Sequence, residues 1–436
     1  MIGRVLAAVR GRVEAADVMW QRGDRTSVAF DAGRLKTCGS AEEAGINLRV
    51  LCNGRVGIAG TTTTDLDDLV RRAVASAELG EPVALAFPGR APLPTIETSA
   101  GAVAEAPLER LIALGRSLVE RVTRAGCQVN VSIERSVAET SVGNTAGAEG
   151  RYASTGLAIG VDVMRVAGND VLMVYDYYVG AGWPTDAELD RLVRSVATRL
   201  DAALRIVEPP EGALPVVFTP AGLSPILLPL EQGLSGKAVL QGVSPLAGRL
   251  GERVFDERLS VTDDPLAPGR TSSRPFDDEG VASQVTPLVE RGVVRQFVYD
   301  LETAARAGAR STGNGSRGIF SKPKIAYSNF VVGSPAVPGD AELGGGLLGG
   351  IADGLVIDDL IGVGQGNVIS GAFSHPVALA YRVQGGEITG RVKDAAVAGN
   401  VYDLLKRVGG FGKDGRWLGA RWTPSLLLEG VSVARR

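Results

Sequence analysis

Histidine is almost missing from this chain: His375 is the only one in 436 residues. That excludes the His-rich zinc sites in which several imidazoles share a metal. It also makes any Ser-His-Asp triad depend on one residue. Cysteine is scarce as well. Cys38, Cys52 and Cys127 have no close spacing, which argues against a disulfide framework and for a reducing compartment. Lysine supplies seven of the 46 basic residues, and amid so much Ala, Gly and Val this reads as GC-rich coding bias rather than an Arg-based binding surface. A net charge of −3 gives no electrostatic footing for nucleic acid. No apolar run approaches the roughly 18 residues needed to span a bilayer. Arg4, Arg10 and Arg12 interrupt the apolar start, so it does not make a signal peptide. The expectation is a soluble, cytoplasmic protein with no nucleic-acid and no membrane partner.

What is present is an ordinary globular composition, 45% hydrophobic and 22% charged, in a chain long enough for two or three domains. Residues 1–85 read as a helix-hairpin-helix unit. Apolar residues recur at helical spacing over 2–20, strand-like alternation follows in TSVAFDAGRL and INLRVLCNGRVGIAGTTT, and Thr64 or Asp65 caps a helix over DLDDLVRRAVASAEL. Cys52-Asn53-Gly54-Arg55 has the chemistry of a tight hairpin turn. After a Pro/Ala/Gly-rich connection, residues 100–207 form a second α/β unit: a helix over 107–125, long alternating strands with turns at Gly143-Asn144 and Gly168-Asn169, and a helix over 185–204. Pro209-Pro210-Glu211-Gly212 marks the best boundary. Residues 212–436 are β-rich, with a hairpin at Glu290-Arg291-Gly292, a short helix at DLETAARAG, a loose loop over 335–350 and a final helix over Asp394–Arg407. The fold class is α+β: an N-terminal mixed α/β region followed by a β-rich C-terminal domain.

Few motifs carry chemistry by themselves. GQGNVISG (364–371) fits neither common phosphate-loop fingerprint and reads as a tight turn into a strand. Ser374 and His375 are too close in sequence for the usual triad, and Pro376 pins the backbone in an extended form. Asp263-Asp264, Asp277-Asp278-Glu279 and Asp358-Asp359 invite a carboxylate site, but neighbours on a strand point to opposite faces. They read better as turn residues, with Arg274 placed to neutralise Asp277. Tyr175 and Tyr177 share a strand face and suit a core or an interface better than base stacking. At the midpoint, Ser224 and Pro225 suit a helix start, Pro229 is awkward inside a helix, and the element is expected to end near Gly233 or Gly236.

Several motifs in order resemble one family. VTDDP…G…SRPFDDEGVAS, YDLETAARAG and STGN lie within 251–316. GNVISGAFS…GGEITGRVKDAAVAGNVYDLL follows, and SVAFDAGRLKTCGSAEEAGINLRVLCNGRVGIAGTTTTDLDDLVRRAV matches near the start. Together they are similar to the TldD/PmbA family, also called modulator-of-gyrase or TldD/TldE peptidases. The resemblance implies paired subunits. One holds zinc through a His-Glu-x-x-x-His helix and a distant Cys, and the pair encloses a cavity where extended, unfolded peptide is cleaved. Aligning GLSGK with the end of that helix puts the ligand positions on Leu227 and Gln232, the general-base position on Leu228 and the Cys position on Phe411. None can serve, since zinc needs lone pairs from thiolate, imidazole or carboxylate.

The resemblance therefore implies a PmbA/TldE-like subunit with no catalytic residue and no metal or other cofactor in this chain. Zinc is expected in a TldD-like partner. Leu227, Leu228, Leu230 and Phe411 should plug the former metal pocket. Asn314, Arg317, Ser370, Phe373, Ser374 and His375 are the residues expected to face peptide or partner, although Ala372 stands where relatives have an acidic residue. Two alternatives stay open: a peptidase with a relocated site at Asp277, Asp278, Glu279 or Ser374/His375, and a peptide-binding scaffold without hydrolase activity.

Overall fold

Alternation in the first half continues well beyond what a short hairpin needs, and the strands are correspondingly long. The computed structural model describes residues 1–333 and 343–436. β1 (Ala15–Asp31), β2 (Arg34–Cys52), β3 (Arg55–Thr61), β4 (Cys127–Asn144), β5 (Glu149–Ala167) and β6 (Asp170–Gly180) form one antiparallel sheet in the order β3-β2-β1-β4-β5-β6. The β1–β4 pairing, from Asp17 opposite Asn144 to Phe30 opposite Val131, carries both N-terminal units in a single layer. Asn53 and Gly54 take φ of 50° and 67°, the left-handed pair that closes a two-residue hairpin. A similar turn at Ala32-Gly33 splits the segment 26–35, read as one strand, between β1 and β2.

Helix α1 (Ile2–Val9) stops well short of residue 20, because Gly11 turns left-handed at φ 73° and β1 takes over. Asp65 caps α2 (Leu66–Glu78) by accepting from the Asp68 N–H. After the short α3 (Gly101–Ala104) come α4 (Leu108–Val122) and α5 (Asp186–Ala203), the latter opened by a Thr185/Glu188 capping box. α1 and α2 cover Ala16, Val18, Ile46, Leu48 and Val50 on one face of the sheet. Gly57 lets α2 lie against β3: a Cβ there would come 2.0 Å from the Ala73 carbonyl oxygen.

The chain passes through β7 (Ile206–Val207) into β8 (Gly212–Phe218), the first strand of a barrel. β8 lies between Asp353–Leu360 and Leu426–Arg435, which leads through Ala395–Asn400 to Ala372–Gln384. Ala372–Gln384 pairs back onto Asp353–Leu360 and closes the ring. Residues 394–407, read as a helix, begin instead with the barrel strand Ala395–Asn400. Ala395 and Val397 point inward at period two, and only Val401–Leu404 is helical. A second sheet is built from short segments, among them Val261–Asp263, Thr286–Glu290 and Arg421–Thr423. Of the loop expected over 335–350, residues 335–342 lie outside the described residues; 343–350 are turns and a 3₁₀ turn at Leu348–Gly350. Leu118, Val131, Leu157, Leu192 and Val196 pack in one cluster with Val217, Val356 and Tyr381 of the barrel, so the two halves share a core. Among the described residues no helix is long and apolar enough to cross a membrane.

Candidate functional site

The helix at the midpoint, α6 (Ser224–Gly233), is held from outside as much as by its own hydrogen bonds. Its N-cap is Leu223 rather than Ser224, and no side chain caps it. Pro229 lies inside the helix and offers no N–H to the carbonyl four residues back. Side chains from afar hold the second half instead. The Tyr402 hydroxyl donates to the Pro229 carbonyl at 2.9 Å, Tyr327 to that of Glu231 at 2.6 Å, and Ser244 to that of Gly233 at 2.6 Å. Gly233 is required for this approach, since a Cβ would lie 2.3 Å from the Tyr402 oxygen. Arg421 grips the Glu231 carboxylate with two N–H groups, at 2.6 and 2.8 Å.

Leu227 and Leu230 turn inward. They meet Leu259, Val332, Leu405 and Phe411 around a residual space of about 10 Å³. That is about one water-sized sphere, and with such a lining it stays dry. The expected plug is thus assembled from Leu227, Leu230 and Phe411. Leu228 is not part of it: one residue on, it is rotated by about 100°. It faces a separate groove of about 110 Å³ with Gln365, Phe373, Ser374 and His375. Gln232 is exposed at the helix end. The residues at the four zinc-site positions therefore do not fit a zinc ion. Leu227 and Phe411 present only C–H groups, Gln232 points to solvent, and the neighbouring carboxylate of Glu231 already holds Arg421. Among the described residues no group of three or more His, Cys, Asp or Glu could hold a metal.

The groove brings three expected residues together, Phe373, Ser374 and His375, while Ser370 is not part of its lining. Ser370 closes the turn before the barrel strand, donating to the Asn367 carbonyl at 2.9 Å, while Phe373 is buried. Ser374 is exposed and His375 half-buried, and no hydrogen bond joins their side chains. The His375 ring lies parallel to Phe373, centroids 6.1 Å apart. Burial lowers its pKa below the ordinary 6.5, with the Ile361 backbone pulling the other way.

Asn314 and Arg317 are a correction. Expected to face peptide or partner, they lie inside the chain because buried carboxylates claim them. The Asn314 amide donates to Asp263 at 2.6 Å, and Arg317 pairs with Asp17 at 3.0 Å. Arg49 bridges Asp17 at 2.7 Å and Glu279 at 2.6 Å, tying β1 and β2 to the 277–317 loop. Asp277 accepts the N–H groups of Glu279, Val281 and Gly315 at 3.0, 2.9 and 2.8 Å. Burial, reinforced by the nearby Glu279 carboxyl, pushes its pKa up to about 7. Arg274 pairs with Asp278 at 3.7 Å, not with Asp277. Asp358 accepts from Arg199 and Thr219, both at 2.8 Å. These carboxylates are occupied by backbone and arginine, which leaves nothing free for general-base work.

Comparison with known proteins gives the family. The model described as the PmbA/TldA metallopeptidase C-terminal domain matches residues 211–435, and metallopeptidase domain 1 of the same family matches 16–77. The chain belongs to the PmbA/TldD metallopeptidase family. A metalloprotease of Methanothermobacter thermautotrophicus is 28% identical over 427 residues, 95% of this chain and 91% of that one. A metalloprotease PmbA homolog of Haemophilus influenzae is 28% identical over 221 residues, 51% of this chain and 46% of its own. In fold, the crystal structure of TldE from Thermococcus kodakarensis superposes with a TM-score of 0.88, covering 99% of both chains at 22% identity. Arg421 and the tyrosines that hold α6 in this PmbA/TldD chain escaped the sequence reading. Arg421 lies 190 residues from Glu231 and Tyr402 173 from Pro229, and no local pattern joins them.

Proposed function

We propose that this chain is the metal-free, PmbA/TldE-like subunit of a heteromeric TldD/TldE-type zinc metallopeptidase. The assembly cleaves unfolded peptides or the leader segments of ribosomally made precursor peptides. The observation that carries the reading is the apolar lining that Leu227 and Phe411 share in one small pocket, where a peptidase of this family needs donor atoms. A zinc ion in the partner would supply an activated water and a Lewis acid for the scissile carbonyl. Nothing in this chain's own pocket can take a proton from water or ligate a cation.

The chain instead supplies surface. β3 pairs with β2 only from Ile46 onward, which leaves the outer edge of Arg34–Gly45 with no strand beside it among the described residues. Such an edge grips an extended backbone by strand addition and asks for no particular side chains. A relocated active site is disfavoured by the carboxylates themselves, because Asp277 and Glu279 are spent on backbone N–H groups and Arg49.

The test is reconstitution. The chain, a zinc-bearing paralogue with an intact His-Glu-x-x-x-His helix, and their mixture are assayed on an unfolded peptide. Hydrolysis by the mixture and none by this chain alone is expected. Full hydrolysis by the isolated chain would defeat the proposal.

A further inference from the structure

A second cavity, of about 250 Å³, opens where β6 and α5 meet the strands Arg416–Leu418 and Arg421–Thr423. Its walls are aromatic: Tyr177, Tyr178, Trp417 and Trp422 line it, the two indoles 5.7 Å apart and crossed at 63°. Three guanidinium groups enter it, from Arg191, Arg270 and Arg416. Their charges are not equally matched. Arg416 pairs with Asp176 at 2.7 Å, and Arg199 shares that carboxylate from behind at 3.1 Å. Glu188, the other acid in the lining, is held by the Thr185 N–H and hydroxyl at 2.8 and 2.9 Å. Arg191 and Arg270 have no carboxylate within ion-pair distance among the described residues. Arg270 lies over the Trp417 ring at 5.1 Å, half-buried, and burial lowers its pKa while Tyr178 and Glu188 pull the other way. A guanidinium drawn out of water without a counter-charge is costly unless an anion completes it.

We propose that this cavity is a peptide subsite that takes a carboxylate on Arg270 and Arg191, together with an adjoining aromatic or bulky apolar side chain between Trp417, Trp422 and Tyr177. The planar fork of Arg suits a carboxylate, and guanidinium stacked on indole stays aimed into the space. The volume is below the roughly 300–1,000 Å³ typical of ligand pockets, so it holds one or two residues rather than a long segment. Its position fits the peptide-handling role proposed above, on which the choice of ligand rests. Trp422 faces this cavity, while its neighbours Arg421 and Thr423 point through the strand to Glu231 and the Leu227 plug. Peptide recognition and the former metal position thus share one strand as a common wall.

Calorimetric titration of the isolated chain tests it, with N-acetyl-Asp-Phe-amide, its Asn-Phe counterpart, acetate and inorganic phosphate as probes. The acidic dipeptide should bind about tenfold or more tightly than the Asn counterpart, the worth of one charge-assisted contact. Arg270→Gln and Trp417→Leu should each remove most of that difference while both variants melt as the parent does. Equal binding of the two dipeptides, retention of the difference in both variants, or acetate or phosphate binding as tightly as the dipeptide would overturn the assignment. Neither partner nor hydrolysis enters this experiment. Its failure would leave the subunit role standing, and an active isolated chain would defeat that role without touching this one.

Discussion

Leu227 and Phe411 are the residues on which the reading turns, and their packing makes them measurable. Shortening Leu227→Ala opens a cavity in a dry site and should cost about 2–5 kcal/mol in urea-induced unfolding. A cost near zero would mean that the plug does not exist. Asp277 offers a second, pH-dependent measurement. Burial and then Glu279 raise its pKa in the folded chain from 3.8 to about 7. The folded state therefore holds a proton that the unfolded state has released. That contribution to stability is fully present below the unfolded value and is lost as pH rises through the folded one. Asp263, pushed up to about 6 chiefly by burial, acts with the same sign. Asp277→Asn removes the larger titration, so the decline of unfolding free energy from pH 4 to pH 7 should become shallower, as read from urea midpoints across that range. An unchanged slope would show that Asp277 is already ionised in the folded chain.

Elements were legible wherever their signals are local. The Asp65 cap, the helix over 185–204, the Asn53-Gly54 and Arg291-Gly292 turns and the helix over 301–307 all depend on neighbours a few residues apart. The reading erred where two periods compete. Helical spacing over Ile2–Val13 carried the helix reading on to residue 20, into what becomes β1, and 394–407 contains alternation that barrel pairing uses as a strand. The candidate site was half legible. Residue types at 227 and 411 excluded metal ligation, but which side each faces, and that Asn314 and Arg317 serve buried acids, depend on contacts across the whole chain. Gly57 shows the same limit: it reads as an ordinary strand glycine, yet α2 packs against the space left by its missing Cβ. Gly57→Ala should force helix and strand apart and destabilise by about 1–3 kcal/mol, the usual range for overpacking. Differential scanning calorimetry checks this, and an unchanged melting temperature would contradict the tight α2–β3 approach.

At the scale of the molecule, buried ion pairs and a common core tie the N-terminal sheet to the barrel. Arg49 binds Asp17 of β1 and Glu279 of the C-terminal half, and Arg199 binds Asp176 of β6 and the barrel's Asp358 at 2.8 Å. Arg49→Met leaves buried Glu279 without its arginine and Asp17 with Arg317 alone, and should cost about 3–5 kcal/mol. Both halves should still unfold in one calorimetric transition, because the shared hydrophobic cluster remains. Two separated transitions in the parent chain would show that the halves are energetically independent. This joining suits the subunit role proposed above. The most direct measurement is the zinc content of the chain purified alone and exposed to excess zinc, then desalted and analysed by elemental mass spectrometry. The account predicts far less than one zinc per chain, unchanged by Leu227→Ala. One tightly held zinc per chain, lost on substitution around α6, would contradict it.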